Sequence, residues 1–110
     1  MDRELPRDDV ILLLLAILNE GPRPSAAIGD EIRRRAGAAF RLPDGGTGPA
    51  IRRLEIDGKI VGMWMMMPRG SAHKVYTLTP AGRDELEERA EAWRRYARRV
   101  EAILETARGE

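Results

Sequence analysis

The chain has 110 residues, a formal net charge of +1 and 43% hydrophobic residues, which is typical of a single globular domain. It contains no cysteine, which excludes disulfide bonds, thiol nucleophiles and cysteine-ligated metal. The longest apolar run, Val10 to Leu18, is about half the length needed to span a bilayer, and no cleavage-site pattern follows it. We therefore expect a cytoplasmic protein with no membrane partner.

The small net charge conceals an uneven distribution along the chain. Residues 1–20 carry two basic and five acidic residues, residues 21–58 seven and five, residues 59–79 three and none, and residues 80–110 seven and eight. Positive charge is concentrated in the middle of the sequence. This distribution indicates an anionic partner that meets the central segment.

The apolar run predicts a first helix that begins with Asp8 or Asp9 as its cap. Because nine consecutive apolar residues leave no polar face before Asn19, this helix needs cover on nearly all sides. It is either a core helix of one chain or, in the interpretation we favour, a helix that also meets a second subunit. Gly21 and Pro22 end it.

A second helix is predicted to begin at Pro24 or Ser25 and to end before Gly37. Its last turn contains the basic run Arg33 to Arg35, where cations complement the helix dipole. For each of these arginines, a solvated helix end and a phosphate contact are equally open interpretations.

Residues 45–58, GGTGPAIRRLEIDG, predict a glycine-rich turn, a short amphipathic helix and a glycine that stops it. The apolar positions at helical spacing are Ala50, Ile51, Leu54 and Ile56. The turn places backbone amides at the start of the helix, where a phosphate fits. We expect this helix to be the element around which the rest of the chain is organised.

A hairpin follows, formed by KIVGMWMMM at residues 59–67 and KVYTLT at residues 74–79. A helix followed by a hairpin is the second half of a winged helix-turn-helix, whose recognition helix enters a DNA groove. Strand alternation divides the large side chains of the first strand between its two faces, Trp64 and Met66 on one and Met63, Met65 and Met67 on the other. Methionines also line adaptable ligand surfaces, but we favour simple packing within the sheet.

The turn between the two strands, residues 68–73, is the predicted tip of the wing. Arg69, His73 and Lys74 reach phosphates or the minor groove in one interpretation and belong to a solvated turn in the other. His73 is the single histidine and cannot form a metal site alone.

From Pro80 onward the pattern is helical, with Thr79 as the cap. Apolar residues recur at alternating spacings of four and three, which is the pattern of a coiled-coil seam: Leu86, Ala90, Trp93, Ala97, Val100, Leu104 and Ala107, flanked by Tyr96 and Ile103. At 1.5 Å per residue such a helix is roughly 40 Å long, too long for a domain of this size to cover. It needs a partner helix, because packing on the first helix alone covers only part of the seam.

The chain resembles the PadR family of bacterial transcriptional regulators over about residues 10–104. The resemblance rests on the order and spacing of four pieces: the apolar first helix with Gly21-Pro22, AIGDEIRRR at residues 27–35, PAIRRLEIDGKI at residues 49–60 and VYTLTPAGR at residues 75–83. It implies a winged helix-turn-helix, a C-terminal dimerisation helix and repression relieved by a ligand. With one C-terminal helix, the chain is similar to the shorter subfamily.

The sequence departs from the family pattern at two places. Pro24, Ser25 and Ala26 stand where the family usually has His-Gly-Tyr, and Gly46, Thr47 and Gly48 stand where it usually has Ser or Thr followed by Leu and Tyr. Contacts at the start of the recognition helix must then come from backbone amides, Thr47 and arginines. The missing Leu-Tyr pair supports an alternative function, a winged-helix protein-interaction module without specific DNA binding.

These observations predict an α+β, mostly α fold with a winged helix-turn-helix DNA-binding domain at residues 1–79 and a C-terminal dimerisation helix at residues 80–110. The predicted function is a dimeric DNA-binding transcriptional regulator, a repressor relieved by a small aromatic or drug-like effector. Double-stranded DNA, a second copy and the effector are the expected partners. One histidine, no cysteine and no phosphate-loop motif argue against an enzyme, and we expect no cofactor and no metal.

Three sets of residues are assigned from the sequence. DNA binding is assigned to Arg41, Gly46, Thr47, Gly48, Arg52, Arg53, Arg69, His73 and Lys74. The dimer interface is assigned to Leu86, Ala90, Trp93, Ala97, Val100, Ile103 and Leu104. The effector site, at that interface, is assigned to Trp93, Tyr96 and Leu14, with the equally open alternative that the two indoles fill the interface themselves.

Overall fold

The computed structural model describes residues 3–108. Within these residues there are four helices, α1 Arg7–Glu20, α2 Ser25–Ala36, α3 Gly48–Ile56 and α4 Pro80–Thr106. The strands of the same region are β1 Arg3–Glu4, β2 Arg23–Pro24, β3 Phe40–Arg41, β4 Ile60–Met66 and β5 Ala72–Leu78. The predicted fold class, α+β and mostly α with a winged helix-turn-helix, is confirmed. Residues 1–2 and 109–110, the outer ends of the two predicted segments, lie outside the described residues.

Helix α1 forms the centre of the core. Its residues Leu14 and Leu15 are fully buried, and its apolar run packs against α2, α3 and α4. The other buried apolar residues of this core come from α2, α3 and the base of the hairpin: Ile28, Ile32, Ile51, Leu54, Ile60, Tyr76 and Leu78. The predicted cap is wrong by a few residues, because Pro6 precedes α1 and both aspartates lie in its first turn.

Strands β4 and β5 form the predicted hairpin and continue into a three-stranded antiparallel sheet in the order β2-β5-β4. Strand β4 is therefore an edge strand. The register pairs Gly62 with Tyr76, Trp64 with Lys74 and Met66 with Ala72. Two short features were not predicted, namely β2 and the two-residue parallel pairing of β1 with β3.

Helix α4 begins as predicted and then leaves the body of the molecule. The Thr79 hydroxyl accepts a hydrogen bond from the Gly82 amide at 3.0 Å and donates one to the Gly58 carbonyl at 2.7 Å, which fixes the start of α4 to the end of α3. Gly82 is required there, because any Cβ would collide with the Lys59 carbonyl. The principal-axis extents of 65 × 30 × 21 Å show how far the helix projects. Within the described residues, no helix is long and apolar enough to cross a membrane.

The first half of α4 packs on α1, and the second half has no cover. Leu86 and Ala90 are partly buried, whereas Ile103 and Leu104 are 65% and 60% exposed. Ala107 follows the last residue of α4, so the seam ends at Leu104 rather than at Ala107. One face of α4 over residues 93–104 therefore remains uncovered in a single chain.

Candidate nucleic-acid interface

Helix α3 is anchored on one face and exposed on the other. Ile51 and Leu54 are each 3% exposed and hold the helix on the core, while Arg52 and Arg53 point to solvent. The prediction that Ile56 also packs inward is wrong, because Ile56 is 81% exposed. It follows Leu54 by two residues, which is about 200° around a helix, and so lies on the side opposite the core. The exposed face of α3 is thus both cationic and apolar.

Two backbone amides of the glycine-rich turn before α3 are hydrogen-bonded within the turn itself. The Gly46 amide donates to the Pro43 carbonyl at 2.9 Å, and the Gly48 amide donates to the Gly45 carbonyl at 3.3 Å. Thr47 precedes α3 but is buried, and its side chain makes no capping hydrogen bond. These bonds contradict the expectation that the Gly46 and Gly48 amides form a ready phosphate site, since two successive turns already satisfy them.

The arginines of α3 are held loosely. The Nε atom of Arg53 donates to Asp57 at 3.0 Å, but this pair is exposed and so constrains the guanidinium weakly. Among the described residues, Arg52 forms no ion pair. Arg41 lies apart from α3, on β3, where its guanidinium donates to Glu4 at 3.2 Å. Arg52 and Arg53 are therefore the cations of α3 that a phosphate can reach.

A salt bridge attaches the hairpin to α3. The Nζ atom of Lys74 lies 2.9 Å from a Glu55 oxygen and 5.4 Å from the centre of the Tyr76 ring. The hydrogen bond to Glu55 raises the pKa of Lys74, so this amine is charged at neutral pH. Gly62 makes room for the contact, because a Cβ at Gly62 would collide with the Lys74 side chain. Lys74 is thus a structural link as well as a candidate DNA contact.

The tip of the hairpin is open to solvent. The Met67 amide donates to the Ser71 carbonyl at 2.7 Å, and Gly70 takes a φ of 83°, which closes the turn. Arg69 and His73 are exposed, and neither forms an ion pair within residues 3–108. His73 pairs with Met65, on the face of the hairpin opposite that of Lys74. The three predicted wing contacts therefore do not share one face.

The large side chains of the hairpin are exposed on both faces. The exposed fractions are 67% for Met63, 68% for Trp64, 49% for Met65, 72% for Met66 and 42% for Met67. The favoured expectation that they pack within the sheet is wrong, because the hairpin extends beyond the helices and only its base reaches the core. These side chains leave an apolar surface on each face of the outer hairpin.

The basic end of α2 is largely occupied by carboxylates. Arg35 binds Glu20 through both terminal nitrogens, at 2.6 and 2.8 Å, and joins α2 to the end of α1. This hydrogen-bonded pair lowers the pKa of Glu20 to about 2. Arg34 donates to the two oxygens of Glu31 through Nε at 2.9 Å and one terminal nitrogen at 2.6 Å. For Arg35 the contact is structural, so a phosphate contact is not its main role.

A second exposed surface lies along α4. Its apolar members are Trp93, Tyr96, Val100, Ile103 and Leu104. Grooves on either side of Trp93 run between α4 and α1, with volumes of about 550, 440 and 240 Å³. Leu12 contributes to all three grooves, and Leu13 and Tyr96 to the largest.

Leu14 does not belong to these grooves. It is fully buried between the helices, so its assignment to the effector site is wrong. Leu12 and Leu13 precede it on α1 and occupy the place expected of Leu14. The reason is the helical rotation of about 100° per residue, which turns Leu14 towards the core when its neighbours face α4.

Residues 14–88 match the transcriptional regulator PadR-like family. The chain belongs to this family. A PadR family transcription regulator from Clostridium difficile has a similar structure, with 25% sequence identity, a TM-score of 0.76 and coverage of 86% of this chain and 97% of that chain. No curated protein sequence is a significant match.

Two further solved structures show the same fold at lower identity. A Streptococcus mutans protein is 20% identical with a TM-score of 0.81, covering 93% of this chain and 92% of that chain. The circadian clock associated protein Pex from Anabaena is 24% identical with a TM-score of 0.71, covering 87% and 84%. As a PadR-like protein, the chain is a DNA-binding transcriptional regulator rather than an enzyme.

Two residues of this PadR-like interface were missed by the sequence analysis. Glu55 and Gly62 together hold the wing on the recognition helix, through Lys74. A glycine inside a strand often marks a close approach of another group, and this signal was available at Gly62. Nothing local distinguishes Glu55 from other solvent-facing carboxylates, since its partner is 19 residues away.

Proposed function

We propose that this PadR-like regulator is a homodimer that represses transcription by binding double-stranded DNA, and that a small aromatic or drug-like ligand relieves the repression. The domain assignment proposed with it is a DNA-binding unit at residues 1–79 and a dimerisation helix at residues 80–110. The observation that carries the DNA-binding part is the pair of exposed arginines on α3, the helix that Glu55 and Lys74 link to a hairpin without acidic residues.

Charge supports duplex DNA as the partner of this surface. Arg52 and Arg53 project from α3, and Arg69 lies at the wing tip, so the cations are separated along the molecule rather than clustered. Phosphate contacts of this kind orient a protein on the duplex and supply most of the non-specific affinity. The DNA-binding set proposed here therefore centres on these three arginines, with Lys74, His73 and Arg41 as further candidates.

The uncovered half of α4 supports a dimer. Trp93, Val100 and Leu104 lie on one seam and are 50%, 37% and 60% exposed. An apolar seam of this length is stable in water only when another surface covers it, and a second copy of the same helix offers a matching seam. Dimerisation also sets the spacing of the two α3 helices, which must match about one turn of DNA.

The grooves beside Trp93 support a ligand at the same interface. Trp93 is half exposed and lines each groove, and Ala90 and Ala97 are the small residues on either side of it along the seam. A flat aromatic ring fits between two indoles across such small neighbours. Because stacking sets the distance between subunits, a ligand there changes the spacing of the recognition helices.

The alternative function is a protein-interaction module without specific DNA binding. The observation that favours it is the turn before α3, where the Gly46 and Gly48 amides are bonded within the turn instead of facing outward. The missing Leu-Tyr pair at the same place points the same way. A direct binding measurement separates the two functions.

The test is a fluorescence anisotropy titration of the full chain with a labelled mixed-sequence duplex of about three helical turns, roughly 30 bp. We expect affinity to fall steeply with salt, and Arg52→Ala, Arg53→Ala and Arg69→Ala each to lower the log–log slope by about 0.9. Arg108→Ala is the matched control, since Arg108 lies beyond the far end of α4. Absence of duplex binding at low salt would support the interaction module, and selection from random duplexes would then identify no operator.

A further inference from the structure

The hairpin carries two rows of exposed apolar side chains, and only one faces the recognition helix. Residues paired directly across an antiparallel sheet project from the same face. Trp64 pairs with Lys74, and Lys74 binds Glu55 of α3, so the face that carries Trp64 is the face on the α3 side. Met66 lies two residues further out on that face. We call Trp64 and Met66 the inner row.

The outer row consists of Met63 and Met65, which project from the other face. Met63 pairs with Val75 and Met65 with His73, and these residues alternate with Lys74 along β5. The two rows have similar chemistry, and both are exposed. They differ in direction relative to α3, which makes the outer row a control for the inner one.

The inner row begins where the core ends. At the base of the same face, Ile60 is 2% and Tyr76 is 7% exposed, whereas Trp64 is 68% and Met66 is 72% exposed. Gly62 lies between the two parts and leaves room for Lys74 to reach α3. The face that packs on the body at its base thus extends past α3 as an uncovered apolar surface.

The inner row has the length needed to reach a neighbouring DNA groove. At about 3.4 Å per residue, Trp64 lies roughly 7 Å and Met66 roughly 14 Å beyond Gly62 along the strand. One turn of DNA is about 34 Å, so the minor groove next to an occupied major groove is roughly 17 Å away. With β4 directed along the duplex away from the major groove, Trp64 would fall at the sugar-phosphate strand between the grooves, and Met66 would fall near the minor groove.

Charge favours a polyanion as the surface that this row meets. Residues 59–79 contain Lys59, Arg69 and Lys74 and no acidic residue. Lys59 and Lys74 pair with Glu85 and Glu55, so among the described residues Arg69, at the tip, is the hairpin cation without an ion pair. An apolar surface that ends beside such a cation complements deoxyribose and bases flanked by phosphates. Minor-groove proteins insert methionine and other apolar side chains between base steps and bend the duplex.

We propose that the inner row is an apolar wedge for DNA: Trp64 packs on the deoxyribose of the strand between the grooves, and Met66 enters the minor groove and bends the duplex. This inference rests on the proposed DNA-binding function and adds contacts and a DNA deformation to it. The wedge also selects sequence indirectly, because flexible pyrimidine–purine steps bend more easily than others. The protein should therefore prefer a pyrimidine–purine step at a position in the DNA where α3 makes no base contact.

Salt dependence distinguishes an apolar contact from a charged one. We expect Trp64→Ala and Met66→Ala to weaken duplex binding about tenfold at every salt concentration, leaving the log–log slope unchanged. Met63→Ala and Met65→Ala, the matched outer-row variants, should leave affinity within about twofold of the original chain. Arg69→Ala supplies the opposite signature, a slope lowered by about 0.9.

Bending and tryptophan emission give two independent measurements. Energy transfer between dyes on the two ends of the duplex should increase when the full chain binds, and Met66→Ala should reduce that increase while Met65→Ala does not. With Trp93→Phe as the background, Trp64 is the single tryptophan, and its emission should change on addition of duplex.

Several results would contradict the wedge proposal and leave the proposed DNA-binding function unaffected. These are duplex binding that inner-row variants leave unchanged, equal losses from inner-row and outer-row variants, and a bound duplex that stays straight. Trp64 emission that depends on protein concentration in the absence of DNA would assign the row to self-association and also overturn the wedge. A chain that binds no duplex at low salt would instead contradict the proposed function itself.

Discussion

The far half of α4 and the outer part of the hairpin both expose large apolar side chains, yet their charged surroundings differ. On α4, arginines and glutamates alternate and pair, as Arg95 and Arg98 do with Glu91 at 3.6 and 3.3 Å. The hairpin has no carboxylate of its own: Glu85 and Glu55 pair with its two lysines at the base, and Arg69 at the tip forms no ion pair within the described residues. A charge-balanced apolar stripe fits another protein surface, whereas an apolar surface with one sign of charge fits a polyanion.

The two regions also differ in how they are attached to the rest of the molecule. The apolar stripe of α4 belongs to one continuous helix of 27 residues, so its side chains keep a fixed spacing over the whole length. The outer hairpin is attached to the recognition helix mainly through Lys74 and Glu55, with Gly62 leaving the space. We therefore expect changes on α4 to act on assembly and changes on the hairpin to act on DNA.

The largest expected effect is loss of the proposed dimer. Val100→Glu combined with Leu104→Glu places two charges in the α4 seam, where a second copy leaves them without water or partners. Sedimentation equilibrium should show monomers, or the protein should become insoluble.

Ala102→Glu adds a charge on the opposite side of α4 and is the control, with the dimer retained. A double variant that keeps the dimer mass would remove α4 from the interface. It would also contradict the expectation that α4 acts in assembly and the hairpin in DNA binding.

A smaller effect is expected from the aromatic ligand proposed at the dimer interface beside Trp93. Titration with planar aromatic compounds should quench tryptophan emission to saturation and weaken duplex binding about tenfold, within the usual range of coupling between sites. Trp93→Phe should abolish the quenching, whereas Trp64→Phe should preserve it. Quenching without a change in DNA affinity would show a pocket that is not a switch.

The salt bridge between hairpin and recognition helix provides a more subtle test. Glu55→Gln frees Lys74 and removes a negative charge beside the DNA surface, so duplex affinity should increase and its log–log salt slope should steepen by about 0.9. Asp57→Asn frees Arg53 in the same way and is the comparison variant. An unchanged slope for Glu55→Gln would mean that Lys74 does not reach a phosphate when released.

The smallest effect is expected at a site that neither surface uses. Arg35 holds the pKa of Glu20 at about 2, below its usual value of 4.5, so the pair stabilises the fold above about pH 4.5 and loses its effect as the pH falls towards 2. Glu20→Gln should slightly lower the melting temperature at neutral pH, with the difference disappearing near pH 2. A difference that persists at pH 2 would show that the ion pair is not its cause.

Much of the fold was predictable because it depends on local repetition. The three-four spacing from Leu86 to Leu104 predicted a long helix with one apolar seam, and strand alternation predicted which hairpin residues share a face. Gly21 with Pro22 and Thr79 with Pro80 marked helix ends through backbone chemistry that needs no distant partner. Strands of two residues, such as β2, are too short to repeat any pattern, which is why they were missed.

By itself, the sequence determined the order of the helices and strands, the seam of α4 and the division of the hairpin into two rows. Only the tertiary structure decided which way each face points. In α1, nine consecutive apolar residues carry no rotational signal, so the burial of Leu14 and the exposure of Leu12 to α4 depend on packing with distant segments. In the hairpin, strand alternation separates the two faces but does not show which of them lies towards α3. The contact of Lys74 with Glu55 shows that this is the face of Trp64 and Met66.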